Sequence, residues 1–165
     1  MNIRQDAPSA PHVADLLRLH LAELRNNTPR EHAFALDASG LSAPEVTFWT
    51  AWDGDMLAGF GALKQLDPDH GEIKSMRTAP THLRRGVART MLAHIVEVAR
   101  MRRYARLSLE TDTESSFLPA IALYEAFGFE ACGPFADYAA SPYNCFFTRT
   151  LTRDLPKEIR CPPSS

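Results

Sequence analysis

Hydrophobic positions along the chain follow two spacings. Val13, Leu16, Leu17, Leu21 and Leu24 fall at steps of three and four, the spacing of one helix face, and this helix ends near Asn26-Asn27, ahead of Pro29. Val87, Met91, Leu92, Ile95, Val98 and Ala99 predict a second helix. A third runs from Pro119 in its first turn to Phe127, with Gly128 as C-cap; Ala120, Tyr124 and Phe127 share one face of it, as do Leu123 and Phe127. Shorter alternating or β-rich runs predict strands at Met1–Gln5, Val46–Asp53, Met56–Lys64, from Glu72, at Ala105–Glu110, at Phe129–Cys132 and at about Tyr143–Leu151. Asp53-Gly54-Asp55 reads as a hairpin and Leu66–Gly71 as a turn. Gly59 and Gly61 lie on one side of their strand, where they either admit a close neighbour or relieve sheet twist. Leu36 and Leu41 fit either a short second helix or a lid over a binding site. Helices interleave with hairpins, so the expected class is mixed α+β. A single domain is expected over residues 1–151, followed by a Pro- and Ser-containing tail at 152–165 that frays.

Composition narrows the function. The 165 residues are 45% hydrophobic and 23% charged, with a formal charge of −2, which argues against nucleic acid as a partner. No apolar run reaches the roughly 20 residues of a membrane span. MNIRQDAPSA has no apolar core of a signal peptide, and Cys132, Cys145 and Cys161 have no metal-like or disulfide-like spacing, so a cytoplasmic protein without a metal is expected. The final strand is a candidate for pairing across a homodimer.

The stretch Glu72–His94 concentrates the chemistry. A strand carrying Ile73, Ser75 and Arg77 alternately with Lys74, Met76 and Thr78 is broken at Pro80, and Arg84-Arg85-Gly86-Val87-Ala88 then opens a helix. Free backbone N–H groups, the positive end of a helix dipole and guanidinium groups meet there, an arrangement suited to a phosphate or pyrophosphate. The loop lacks the Gly-Lys-Ser/Thr ending of a nucleotide-hydrolysing P-loop.

Two motifs carry a resemblance. Met76-Arg77-Thr78-x-Pro80 with Leu83-Arg84-Arg85-Gly86-Val87-Ala88 is similar to the pyrophosphate loop of the GNAT superfamily of acyl-CoA-dependent N-acyltransferases, Gln/Arg-x-x-Gly-x-Gly/Ala. Ala120-Ile121-Ala122-Leu123-Tyr124-Glu125-Ala126-Phe127-Gly128-Phe129 resembles the A-x-x-L-Y-x-x-x-G-F segment of the same family. The element order matches over about residues 1–151, and EIKSMRT, LSLET and PF-x-x-Y are similar to a small bacterial YsnE-like subgroup. There are two departures: Leu83 replaces the leading Gln/Arg of the loop, and Phe117 stands where many relatives have Asn.

The resemblance implies a mostly antiparallel, twisted sheet of about 6–7 strands flanked by about 4 helices and splayed between the fourth and fifth strands. It implies acetyl-CoA as co-substrate and a small-molecule or peptide amine as acceptor, joined by direct attack in a ternary complex. A noncatalytic acyl-CoA sensor and an enzyme for longer acyl-CoA remain alternatives. The implied cofactor contacts are backbone groups at Met76, Arg77 and Thr78 and the cradle Arg84, Arg85, Gly86, Val87, Ala88 and Arg89. Glu72 is the implied base, against an exposed carboxylate or one paired with Lys74. Tyr124 is the implied acid, against a core tyrosine. Lys74 and Arg77 read as surface charge or as partners of an acceptor carboxylate. Glu110, Thr111, Phe117, Tyr138 and Asn144 are expected near the acceptor. His70, His82 and His94 read as turn or solvent residues, and Cys145 as a small buried hydrophobe.

Overall fold

The structure is a computed structural model. It describes residues 1–27, 38–113 and 118–151, with side chains over 1–23, 40–113 and 118–151. The strands are β1 (Asn2–Asp6), β2 (Val46–Asp53), β3 (Met56–Asp67), β4 (His70–Thr78), β5 (Arg106–Asp112), β6 (Glu130–Cys132) and β7 (Asn144–Thr150). The helices are α1 (Pro11–Asn27), a single turn α2 (Ala38–Leu41), α3 (Val87–Met101) and α4 (Leu118–Ala126). All seven strands form one sheet in the order β1-β2-β3-β4-β5-β7-β6. Every neighbouring pair is antiparallel except β4 with β5.

β2 begins and ends where its β-rich run does, and the turn beyond it is made by Gly54 at φ 58°. β3 and β4 extend past the predicted ends. Asp67 pairs with His70 across Pro68-Asp69, so most of the polar run that reads as a turn is strand. The C-terminal end of α3 is also tied back: Tyr104 N–H bonds Ala99 O, and Arg103 takes φ 63°.

The sheet separates two apolar layers. Phe48, Phe60 and Ala62 pack with Val13, Leu16 and Leu17 of α1 and Leu41 of α2. Leu63, Ile73, Leu107 and Leu109 pack with Val87, Met91, Leu92 and Ile95 of α3, and Tyr124 of α4 joins them. The neighbour that Gly59 and Gly61 admit is α3. A Cβ on Gly59 would stand 2.5 Å from Arg77 O and 3.0 Å from Val87 Cγ1; one on Gly61 would stand 2.8 Å from Met91 Cγ. The glycines therefore set how closely the helix rides on the sheet.

β4 is irregular in two respects. Phe60 pairs with Arg77 and Ala62 with Lys74, so β4 spends one more residue than β3 between these positions. Ser75, at φ 52°, lies in this bulge. In addition, β5 accompanies β4 only from His70 to Ile73, paired with Arg106 to Leu109. Beyond that point β4 continues with β3 to Thr78, and β5 continues with β7 to Asp112. The two central strands part, and among the described residues no strand lies against the far edge of β4.

Candidate active site

On the α1 side of the sheet, Glu72 and Lys74 lie two residues apart and so share a face of β4. Glu72 is only 2% exposed. Lys74 Nζ donates to Glu72 Oε2 at 2.9 Å and to the Tyr138 hydroxyl at 2.5 Å, and Tyr138 donates to the same carboxylate oxygen at 2.7 Å. The Lys74 ammonium also lies 5.2 Å from the Tyr138 ring centre. Of the expected alternatives for Glu72, the pairing with Lys74 is the arrangement present. The surface-charge reading of Lys74 is corrected: its side chain is 8% exposed.

The loop between β6 and β7 is fastened over this cluster by aromatic edges. Phe135 lies 5.2 Å from Tyr138, 5.7 Å from Phe146 and 6.0 Å from His70, centroid to centroid. His70 is hydrogen-bonded through Nε2 to Ser108 Oγ at 2.7 Å. Asn144 organises the same loop: its Oδ1 accepts from Ser141 N–H at 3.0 Å and its Nδ2 donates to Ala139 O at 3.3 Å. Its amide is thus spent within the loop.

Glu110 follows Leu109, the last β5 residue paired with β4. In parallel register, Glu72 is opposite Ser108, so Glu110 shares the face of Glu72 and Lys74, at the point of parting. Burial pushes its carboxyl up to about 7, against the pull of Lys74 and with a further push from Glu72 and Asp112. Thr111 is the next residue and takes the opposite face. It pairs with Cys145, whose Sγ bonds Thr111 O at 3.7 Å, and so it does not join the acidic cluster. Burial raises the Cys145 thiol, as expected of an inert cysteine.

On the other side of the sheet lies the start of α3. Gly86 is its N-cap at φ 79°, no side chain caps it, and its first turn has no acidic residue. The N–H groups of Val87, Ala88 and Arg89 accordingly have no acceptor within the helix. Arg84, Arg85 and Arg89 are exposed around them. The loop before them is anchored by His82, which is 2% exposed and bonded through Nε2 to Asp53 at 3.0 Å and through Nδ1 to Thr81 at 2.8 Å. The reading of His82 as a solvent residue is therefore corrected. Its decisive partner, Asp53, lies 29 positions away and gives no local signal.

Tyr124 is buried on this helical side, and burial raises its phenol to about 12. The end of α4 fixes it: Phe129 N–H bonds Tyr124 O at 3.1 Å, Gly128 N–H bonds Glu125 O at 3.0 Å, and Gly128 takes φ 85°. This is a Schellman cap, with Phe129 against the Tyr124 ring at 6.1 Å. A groove of about 610 Å³ between α3 and α4, lined by Ala93, Glu97, Arg100, Phe127 and Arg149, contains none of the clustered carboxylates.

Phe117 lies outside the described residues, as does Leu36. Two residues on α1 enter the site unannounced. Glu23 accepts a hydrogen bond from Arg77 Nη1, and His20 stacks edge-on against Phe60 at 5.6 Å. The helical period contained a signal for His20, which follows Leu16 and Leu17 at steps of four and three. Among the described residues, no group of three or more His, Cys, Asp or Glu could hold a metal ion, and no helix is long and apolar enough to cross a membrane.

The sequence profile of the Acetyltransferase (GNAT) family matches residues 13–129. The chain belongs to this family. It is 52% identical over 151 residues to the uncharacterized N-acetyltransferase YsnE of Bacillus subtilis, covering 92% of this chain and 100% of that protein. It is 48% identical to the uncharacterized N-acetyltransferase YedL of Escherichia coli, over 90% of this chain and 94% of that one. A GNAT acetyltransferase from Elizabethkingia anophelis, crystallised with acetyl-CoA, shares the fold with a TM-score of 0.64 and 17% identity over 91% of this chain and 97% of that one. The mostly antiparallel seven-stranded sheet, with β4 and β5 parted, is thus the GNAT-like fold that the resemblance implied.

Proposed function

We propose that this GNAT protein transfers the acetyl group of acetyl-CoA to a primary amine of a small molecule or peptide, by direct attack with both substrates bound. The observation that carries the reading is the position of Glu110, a partly buried carboxyl at the parting of β4 and β5, with Tyr124 in the layer on the other side of the sheet.

The residues present fit the cofactor. Gly86 presents open space, since a Cβ built on it would meet nothing within 4 Å, and the uncapped turn of α3 supplies N–H donors beside Arg84, Arg85 and Arg89. That combination suits a pyrophosphate. The edge of β4 that is left unpaired among the described residues, with Met76, Arg77 and Thr78, suits the amides of a pantetheine arm. Acetyl-CoA, when bound, supplies an activated thioester.

Glu110 then receives the ammonium proton of the acceptor. A carboxyl poised near 7 is suited to that exchange at neutral pH. Glu72 is committed to Lys74 and Tyr138, and in this reading it builds the wall of the acceptor side, while the base is Glu110. Tyr124 remains a neutral phenol near pH 7 and donates its proton to the departing thiolate. Its ring packs against Phe129, 6.1 Å between centroids. The test is an amine panel with acetyl-CoA, read by release of free thiol. Turnover is expected, and Glu110→Gln should lower kcat about 10²-fold or more. Absence of thiol release with every amine would overturn the reading.

A further inference from the structure

Arg77 follows Lys74 by three residues, a spacing that sends side chains to opposite faces of a regular strand. Here it does not. Lys74 and Arg77 stand opposite Ala62 and Phe60, which are two apart on β3 and both face α1. The bulge at Ser75 absorbs the extra residue and turns Arg77 onto the face of Glu72 and Lys74.

On that face the guanidinium is only partly engaged. Nη1 donates to Glu23 of α1, but Nε is buried and has no hydrogen-bond partner among the described residues. The Nε edge of a guanidinium presents parallel N–H donors that match the two oxygens of a carboxylate. Glu23, whose side chain is 45% exposed, already shows that a carboxylate reaches this group. His20 beside it is neutral at physiological pH, because burial and the Arg77 charge lower it to about 4, so the positive charge there belongs to Arg77.

We propose that the acceptor is an amino acid whose carboxylate is held by the Nε edge of Arg77 while its amine reaches Glu110, and that Glu23 competes for the same guanidinium. This rests on the acetyl-transfer reading above and specifies its substrate class. The carboxylate gives the acceptor a second fixed point, and the amine is oriented by it.

The experiment compares α-, β- and γ-amino acids with their amides as acceptors, by thiol release, in the wild type, Arg77→Gln and Glu23→Gln. The acids should be favoured over the amides by about tenfold or more in kcat/KM. Arg77→Gln should raise KM for the acid by about tenfold or more while kcat moves less than about threefold, and Glu23→Gln should lower that KM. Equal use of acids and amides would overturn the proposal. So would Arg77→Gln and Glu23→Gln shifting KM in the same direction, the result expected if the pair only ties α1 to β4. Lack of turnover with every acceptor would overturn acetyl transfer instead. Calorimetric titration of the same amino acids would then decide recognition separately: binding lost in Arg77→Gln upholds it, and no binding to the wild type refutes it.

Discussion

Lys74 and Glu72 form an ion pair of 2.9 Å between neighbouring positions on one face of a single strand, with both side chains withdrawn from solvent. Tyr138 is the third member of the cluster, accepting from Lys74 and donating to Glu72. Lys74→Met leaves Glu72 as a buried carboxylate without its cation. This should destabilise the protein by about 3–5 kcal/mol. Lys74→Met combined with Glu72→Leu should recover most of the loss, because the penalty arises from the orphaned charge. Urea denaturation of the two variants checks both statements; equal stability of the single and double variants would refute them.

Glu110 makes stability depend on pH in a definite direction. Its carboxyl is raised from 4.5 to about 7 in the folded protein, so between these values the folded chain binds more protons than the unfolded one. Stability contributed by the neutral carboxyl is full below 4.5 and is lost as pH rises through about 7. Glu110→Gln is neutral at every pH. It should therefore melt higher than the wild type at about pH 8, and the difference should vanish at about pH 4. A Tm difference that is independent of pH would place the effect elsewhere.

Tyr124→Phe preserves the ring that Phe129 packs against and removes only the hydroxyl. The α4 cap is made by backbone groups and should survive. We expect kcat to fall about 10²-fold with acetyl-CoA affinity changed by less than about twofold. Stopped-flow turnover and acetyl-CoA calorimetry measure the two quantities. A matching loss of affinity would make Tyr124 a packing residue.

Gly59 and Gly61 should differ in tolerance even though both face α3. At Gly59 a methyl group would meet the Arg77 carbonyl at 2.5 Å, a backbone atom in the paired strand. At Gly61 it would meet Met91 Cγ at 2.8 Å, part of a flexible side chain. Gly59→Ala should cost about 2–3 kcal/mol and Gly61→Ala less than about 1 kcal/mol. Thermal denaturation ranks them, and the reverse order would refute the argument.

The features legible in the sequence are those that are local or that repeat. β2 is delimited by its own Val, Thr and Trp residues, and the inward face of α3 by a period that needs no partner. The Arg84–Arg89 loop and the Tyr124 segment are each a contiguous run, so the residues within each announce one another. Nothing comparable marks Ser75, because a bulge is a relation between two strands and serine is at home in either. His82 is explained only by Asp53, and the Glu72 cluster is closed only by Tyr138, 66 positions along. Lys74 reads as solvent-facing because its charge is visible in the sequence, whereas the loop that covers it is not. Thr111 groups with Glu110 by adjacency, although adjacency in a strand separates side chains.

The bulge in β4 also bears on how such a site can diverge. It holds one residue more than the pairing with β3 requires, so loss of Ser75 would leave Lys74 and Arg77 two apart and still on one face. Displacing the bulge is another matter. If regular pairing ran on through Ser75 and the extra residue were absorbed beyond Thr78, Met76 would stand on the face of Lys74, and Arg77 would turn toward α3. That face would exchange a cation for a thioether without any change of composition, while Glu72 and Lys74 kept their register. The chemistry of this face is consequently governed by the parity of a strand as well as by the identities of its residues.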